Sequence, residues 1–274
     1  MGRRGGPVLP YRPIAGVIPC GSGWLVCGGR LQGINLFPQD PEWVDGFEAV
    51  LDYRPAFEII ALGAPVGLDD TFTPGGRTCD RQARALVGAR RAGAIISPPS
   101  RAMVAAWKQA RGLNVDAFAS RISAGRAGAT GPQGSGAIGL VDGELASELA
   151  GLGAAGRALL PRVAEVDDAI APYWQRTVFE VRPELSFFQL NDDVPLTRSK
   201  HMLAGREERA ALLLKRFPGI EQVIDARVRG VRAHHLLDGA ISLWAARRVA
   251  ARAISRLPAD PEWDEVGLRT EIVR

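Results

Sequence analysis

Late in the chain, His234 and His235 precede Asp238 by four and three residues, so on a helix either pair shares one face. Imidazole beside carboxylate is a donor set for a borderline metal such as zinc or manganese. Asp69 and Asp70 add two carboxylates just after an apolar run. Each of these residues also has a plainer role: histidines at a helix start are often solvated, and acids after a strand cap turns and helices. The same choice faces Glu180, which has Arg182 and Arg206 as candidate ion-pair partners, and Glu184, which follows Pro183 where a solvated helix cap is expected.

The basic residues suit phosphate. Only Lys108, Lys200 and Lys215 are lysines and the rest are arginines, whose guanidinium groups grip phosphate oxygens two at a time. Arg77, Arg81, Arg84, Arg90 and Arg91 fall in one helical segment, and Arg247, Arg248, Arg252 and Arg256 in another. Arg206 and Arg209, three residues apart, are placed to hold a phosphate or a carboxylate. The plainer reading of both clusters is a solvated helix face. Cys20-Gly21-Ser22-Gly23 lacks the Lys-Ser/Thr of a phosphate loop and runs into strand-like residues, so it reads as a hairpin turn. No Gly-x-Ser-x-Gly elbow is present, which excludes hydrolases of that type.

Positioning these groups requires an α/β chain. Ile14 to Ile18, Gly23 to Gly28 and Arg30 to Leu36 read as an antiparallel meander of three strands. A helix over Pro41 to Leu51 with Asp40 as its cap follows, then Phe57 to Leu62, apolar enough for a central strand buried on both faces. Helices are expected over Cys79 to Val87 and Ser100 to Arg111. From Ser123 to Gly156 there are ten glycines, and the first half reads as a flexible loop. Strand Thr177 to Val181 comes next, with helices over Arg206 to Lys215 and His234 to Arg256 and a closing strand at Leu268 to Val273.

That order is the order of an RNase H-like fold: a mixed central sheet flanked by helices, here with a glycine-rich insertion at about 123–156. A tail over 1–13 would precede one such domain over 14–274. No apolar run approaches the roughly 18 residues of a membrane helix, and residues 1–13 hold no signal-peptide pattern. Cys20, Cys27 and Cys79 are odd in number and fit no zinc spacing, which leaves reduced, packed thiols. A cytoplasmic protein that does not contact membrane is therefore expected.

Several stretches resemble the bacterial and archaeal family known as domain of unknown function 429, described as predicted nucleases with an RNase H-like fold. They are Gly16 to Trp24, Pro65 to Leu68, Cys79-Asp80-Arg81 with Ala83-Arg84, Pro98-Pro99-Ser100-Arg101, Glu180 to Phe188, Ser199-Lys200 with Gly205-Arg206 and Arg209, Leu236-Leu237-Asp238, and Gly267 to Val273. The resemblance implies an acidic site of which Glu180, Glu184 and Asp238 remain. Ile18 and Gly63 stand where it implies strand aspartates, and His235 where another acid is frequent. Two divalent ions need several carboxylates, so losing two implies a damaged centre.

The leading reading is a non-catalytic, nucleic-acid-binding or protein-interaction module without a cofactor, whose candidate strand contacts are Arg81, Arg84, Arg206, Arg209 and Arg248. Two others stay open. One is an active Mg²⁺- or Mn²⁺-dependent nuclease with Glu180, Glu184 and Asp238 as catalytic acids and Glu180, Asp238 and His235 as metal ligands. The other is a scaffold subunit of a protein complex. Oligomeric state is left open.

Overall fold

A computed structural model describes residues 10–110, 112–128 and 138–274. In chain order the strands are β1 (Arg12–Cys20), β2 (Gly23–Gln32), β3 (Asn35–Pro38), β4 (Glu42–Val44), β5 (Ile59–Leu62), β6 (Val178–Glu180), β7 (Arg256–Trp263) and β8 (Arg269–Val273). The helices are α1 (Phe47–Leu51), α2 (Thr78–Val87), α3 (Ala89–Ala92), α4 (Arg101–Gln109), α5 (Val115–Gly128), α6 (Ile138–Ala169), α7 (Pro183–Leu190), α8 (Leu203–Arg216), α9 (Glu221–Ile224) and α10 (Ala233–Ala250). The chain divides into two compact units. The first holds the described residues up to Gly63 with Tyr173–Ser255 and Val273–Arg274; the second holds Ala64–Pro172 and Arg256–Ile272.

The first unit is built on a mixed six-stranded sheet flanked by helices, ordered β3-β2-β1-β5-β6, with β4 also pairing β2. β1 runs antiparallel to β2 and parallel to β5, and β5 runs parallel to β6. Strand alternation sorts the residues between two faces. Ile14, Ile18, Leu25, Cys27, Ile59 and Ala61 share a core with Leu237, Ile241 and Leu243 of α10. Trp24 turns the other way and meets Phe47 of α1, with ring centroids 4.9 Å apart. Close approach of α10 to β1 depends on two glycines. A Cβ on Gly16 would run into the backbone of Gly239 and Leu243, and one on Gly239 into the Cys27 sulfur.

Two expectations for this sheet need correction. The Gly28-Gly29 pair predicts a break in the strand, but β2 continues through it to Gln32 and turns at Gly33, whose φ is +60°. Gly29 is there for space, since a Cβ would stand 2.7 Å from Leu36 Cδ1. The helix expected from Pro41 forms only as α1; Glu42–Val44 pairs with Trp24–Val26 instead, fixed by a hydrogen bond from Trp43 Nε1 to the Cys20 carbonyl at 3.1 Å. The long helix from His234 stops at Ala250, so Arg252 and Arg256 lie beyond it.

The second unit holds α2 to α6, β7 and nearly all of β8 around an apolar cluster that includes Leu68, Met103, Phe118, Leu149 and Leu160. Several of its polar groups are buried. Arg77, 1% exposed, donates to Asp80 at 2.9 and 3.2 Å and to the carbonyls of Val66 and Gly67 at 3.1 and 2.8 Å. Ser100 caps α4 by accepting from the Met103 N–H and donates its hydroxyl to Glu148 at 2.7 Å. Arg101 bonds Asp167 at 2.6 Å and Asp264 at 2.5 Å. In the glycine-rich stretch, α5 continues to Gly128 where a loop is expected, and α6 begins at Ile138. Residues 129–137, like 1–9 of the expected tail, lie outside the described residues.

Candidate functional site

Ile18 and Gly63 are neighbours across the parallel pair of β1 and β5. The Gly63 N–H donates to the Val17 carbonyl at 2.7 Å, and a Cβ built on Gly63 would lie 2.9 Å from Ile18 Cγ2. Ile18 is 3% exposed. The isoleucine methyl thus lies in the space beside Gly63 where a larger side chain would begin, and an aspartate there would face hydrocarbon.

Each of the three candidate acids has its own cation. Glu180 ends β6 in register with Leu62. It lies between Phe179 and Val181, both packed in the core that contains α10, so alternation turns it to the opposite face of the sheet. There, nearly buried, it accepts from Arg182 Nη2 at 3.0 Å. Glu184, in the first turn of α7, accepts from Arg209 Nη2 at 2.8 Å. Arg209 is fully buried, donates to the carbonyls of Arg198 and Gly205 at 2.9 Å each, and lies 5.4 Å from the Phe187 ring. Asp238, on α10, is paired with Lys200.

His235 is occupied as well. Its Nδ1 lies 3.3 Å from the Arg232 backbone N–H, which can only donate, and 3.3 Å from the Cys20 sulfur. Nδ1 is therefore the acceptor in both contacts and Cys20 contributes its S–H. Burial pushes the Cys20 thiol up, against the pull of Arg232, which keeps it a thiol rather than a nucleophilic thiolate. Burial also pushes His235 down, and it pushes His234 down to about 4.

This donor set does not fit a Mg²⁺ or Mn²⁺ centre. Such ions need several anionic oxygens converging within about 2.0–2.6 Å of one point. Here the three carboxylates are already neutralised by Arg182, Arg209 and Lys200. Among the described residues, no group of three or more His, Cys, Asp or Glu side chains is placed to hold a metal ion.

The candidate phosphate-binding arginines part company. In the second unit, Arg81 donates to Gly76 and Thr78, and Arg84 to the carbonyls of Gly75 and Ile95 and to Ser97. In the first unit, Arg209 is buried as described and Arg248 lies over the Trp244 ring at 5.0 Å. Among the described residues, Arg206 bonds only the His201 carbonyl, and it lines an open cavity.

Sequence reasoning missed a more available set between α9 and α10. There Arg227, Arg229 and Arg232 are exposed while Val228 and Val231 pack inward against the core. Among the described residues none of the three arginines has a carboxylate within 4.0 Å. The signal was present as an Arg-Val-Arg alternation, with the period of an extended segment rather than a helix.

No helix among the described residues is long and apolar enough to cross a membrane. Searches of curated proteins and of solved structures give no match. The profile of the family described as protein of unknown function (DUF429) matches residues 16–129 and 143–263, most of the chain, and the chain belongs to that family.

Proposed function

We propose that this protein is a non-catalytic, RNase H-like, nucleic-acid-binding module. The sheet order supports the fold reading: an antiparallel meander is followed by two parallel strands, and a late helix packs on the first strand. Loss of catalysis is supported by the apolar mating of Ile18 with Gly63 and by the cations bound to the three remaining acids. The observation that carries binding is the row of Arg227, Arg229 and Arg232, exposed cations without a carboxylate partner among the described residues, because unneutralised guanidinium is what a phosphate backbone attracts. A reducing, cytoplasmic setting belongs to the same proposal, since Cys20, Cys27 and Cys79 are buried as reduced thiols.

The test separates binding from cleavage. Fluorescently labelled single-stranded, duplex and hybrid oligonucleotides are titrated with the full chain at low salt, then incubated with Mg²⁺ or Mn²⁺. Binding without cleavage above that of a Glu180→Gln, Asp238→Asn double variant is expected. Metal-dependent cleavage that the double variant abolishes would reinstate the nuclease reading, and no binding at low salt would move the scaffold reading to first place.

A further inference from the structure

All three histidines of the chain meet at the start of α10. The His201 ring lies edge-on to His234 with centroids 5.1 Å apart, and His234 lies 4.1 Å from His235. Beside them opens a cavity of about 380 Å³ lined by His201, Arg206, Arg232, Ala233 and His234, within the roughly 300–1,000 Å³ of small-molecule sites. Arg206 is braced at the wall by its 2.9 Å bond to the His201 carbonyl. Among the described residues neither Arg206 nor Arg232 has a carboxylate within 4.0 Å. The neighbouring acid, Asp238, is engaged by Lys200. The wall therefore presents two guanidinium charges with no counter-charge, flanked by two imidazoles. The positive end of the dipole of an eighteen-residue helix adds to the same polarity.

We propose that this cavity binds a phosphate monoester, with Arg206 and Arg232 on its charged oxygens and His201 and His234 as further donors. The match is one of charge. A monoester carries about −1.5 to −2 at pH 7, which two guanidiniums balance, whereas a diester within a strand carries one negative charge per phosphate. Planar guanidinium also bonds such oxygens in pairs. Unoccupied, His234 is held neutral by burial, by His235, and by Lys200 and His201, with only Asp238 opposing. A bound dianion adds the missing opposite charge, so His234 takes up a proton more readily in the complex. The inference goes beyond strand binding, because Arg206 and His234 lie outside the Arg227 to Arg232 row.

The experiment uses the full chain with inorganic phosphate, a nucleoside 5′-monophosphate, and a short single strand bearing either a 5′-phosphate or a 5′-hydroxyl. Imidazole resonances and heats of binding are followed together. Phosphate and the monophosphate are expected to shift the His201 and His234 resonances and to raise the titration midpoint of His234. Arg206→Gln and Arg232→Gln are each expected to weaken binding by about tenfold, the loss of a charged hydrogen bond, while Arg54→Gln, at an exposed arginine outside the cavity, leaves monophosphate binding unchanged. Tighter binding of the free monophosphate than of either strand assigns a small-molecule source. Preference for the 5′-phosphorylated strand over its hydroxyl twin assigns a strand end. The proposal is overturned if phosphate at about 10 mM moves no imidazole resonance, or if the Arg206→Gln, Arg232→Gln double variant binds as tightly as the parent. Equal binding of both strands without a phosphate response would overturn it while leaving the strand-binding reading intact.

Discussion

A methyl group at position 63 would stand 2.9 Å from Ile18 Cγ2, well inside the 3.5–4.0 Å at which carbon atoms attract. Gly63→Ala should therefore cost about 1–3 kcal/mol by overpacking, and Ile18→Ala about 2–5 kcal/mol by leaving a cavity. Made together, the two should cost less than their sum by about 1 kcal/mol, as measured by urea denaturation. Additive costs would mean that the two side-chain positions do not share one space. A second prediction concerns pH. His234 titrates near 4 in the folded chain and at 6.5 when unfolded, so between those values the unfolded state binds more protons. Its contribution to stability is complete above pH 6.5 and is lost as pH falls toward 4. The denaturation midpoint should drop from pH 7 to pH 5, and His234→Gln should flatten that drop. Ile18 and Gly63 were legible in the sequence as positions of interest, but their mutual fit was not, because pairing of β1 with β5 brings together residues far apart in the chain. The roles of the arginines were not legible either. Arg77, read as part of a solvated face, is nearly buried and held by Asp80 and two carbonyls, while Arg209, read as holding a phosphate or a carboxylate, holds Glu184 from a fully buried position.

The elements of the first unit were largely readable. Apolar runs ending in glycine predict β1 and β5, the compact Thr177 to Val181 run predicts β6, and the expected mixed sheet with α10 packed on it is present. Failures came where glycine has two meanings. At Gly33 it permits a turn with positive φ; at Gly16, Gly29 and Gly239 it removes a side chain so that another group can approach. Composition cannot separate these uses. A prediction follows at this scale: Gly16→Ala should cost more than about 3 kcal/mol or abolish folding, because the obstruction is the α10 backbone, which cannot rotate away. Gly21→Ala, at a turn with φ of +62° and open space around it, should cost about 1 kcal/mol. Comparable losses in thermal unfolding would show that α10 does not seat directly on β1.

At the scale of the whole molecule, a net charge of +4 conceals a sharp division of labour. Arg77, Arg84, Arg101, Arg182 and Arg209 hold the fold together through carboxylates and carbonyls, and only a subset remains for an external anion. Each phosphate neutralised on a single strand contributes about 0.7 to the slope of log affinity against log salt. Arg227→Gln with Arg229→Gln should flatten that slope by about 1.4, whereas Arg81→Gln with Arg84→Gln should lower stability and leave the slope alone. An unchanged slope in the first double variant would remove the arginine row from the binding surface. The division into two units was hidden from a reading along the chain, because neither unit is one continuous stretch of sequence.

That discontinuity governs how the protein is made. The chain leaves the first unit after Gly63, returns at Tyr173, leaves again after Ser255 and comes back at Val273, and β5 must wait for β6 to be synthesised before Ile60 can pair with Val178. At about 5–20 residues per second, the β6 side of β5 stays open for several seconds after it emerges, leaving the apolar Ile59-Ile60-Ala61-Leu62 strand paired with β1 alone. The second unit, whose main segment emerges in that interval, can complete most of its packing first. The nascent chain thus passes through a stage in which its central sheet is half built, and chaperone dependence should track that pause.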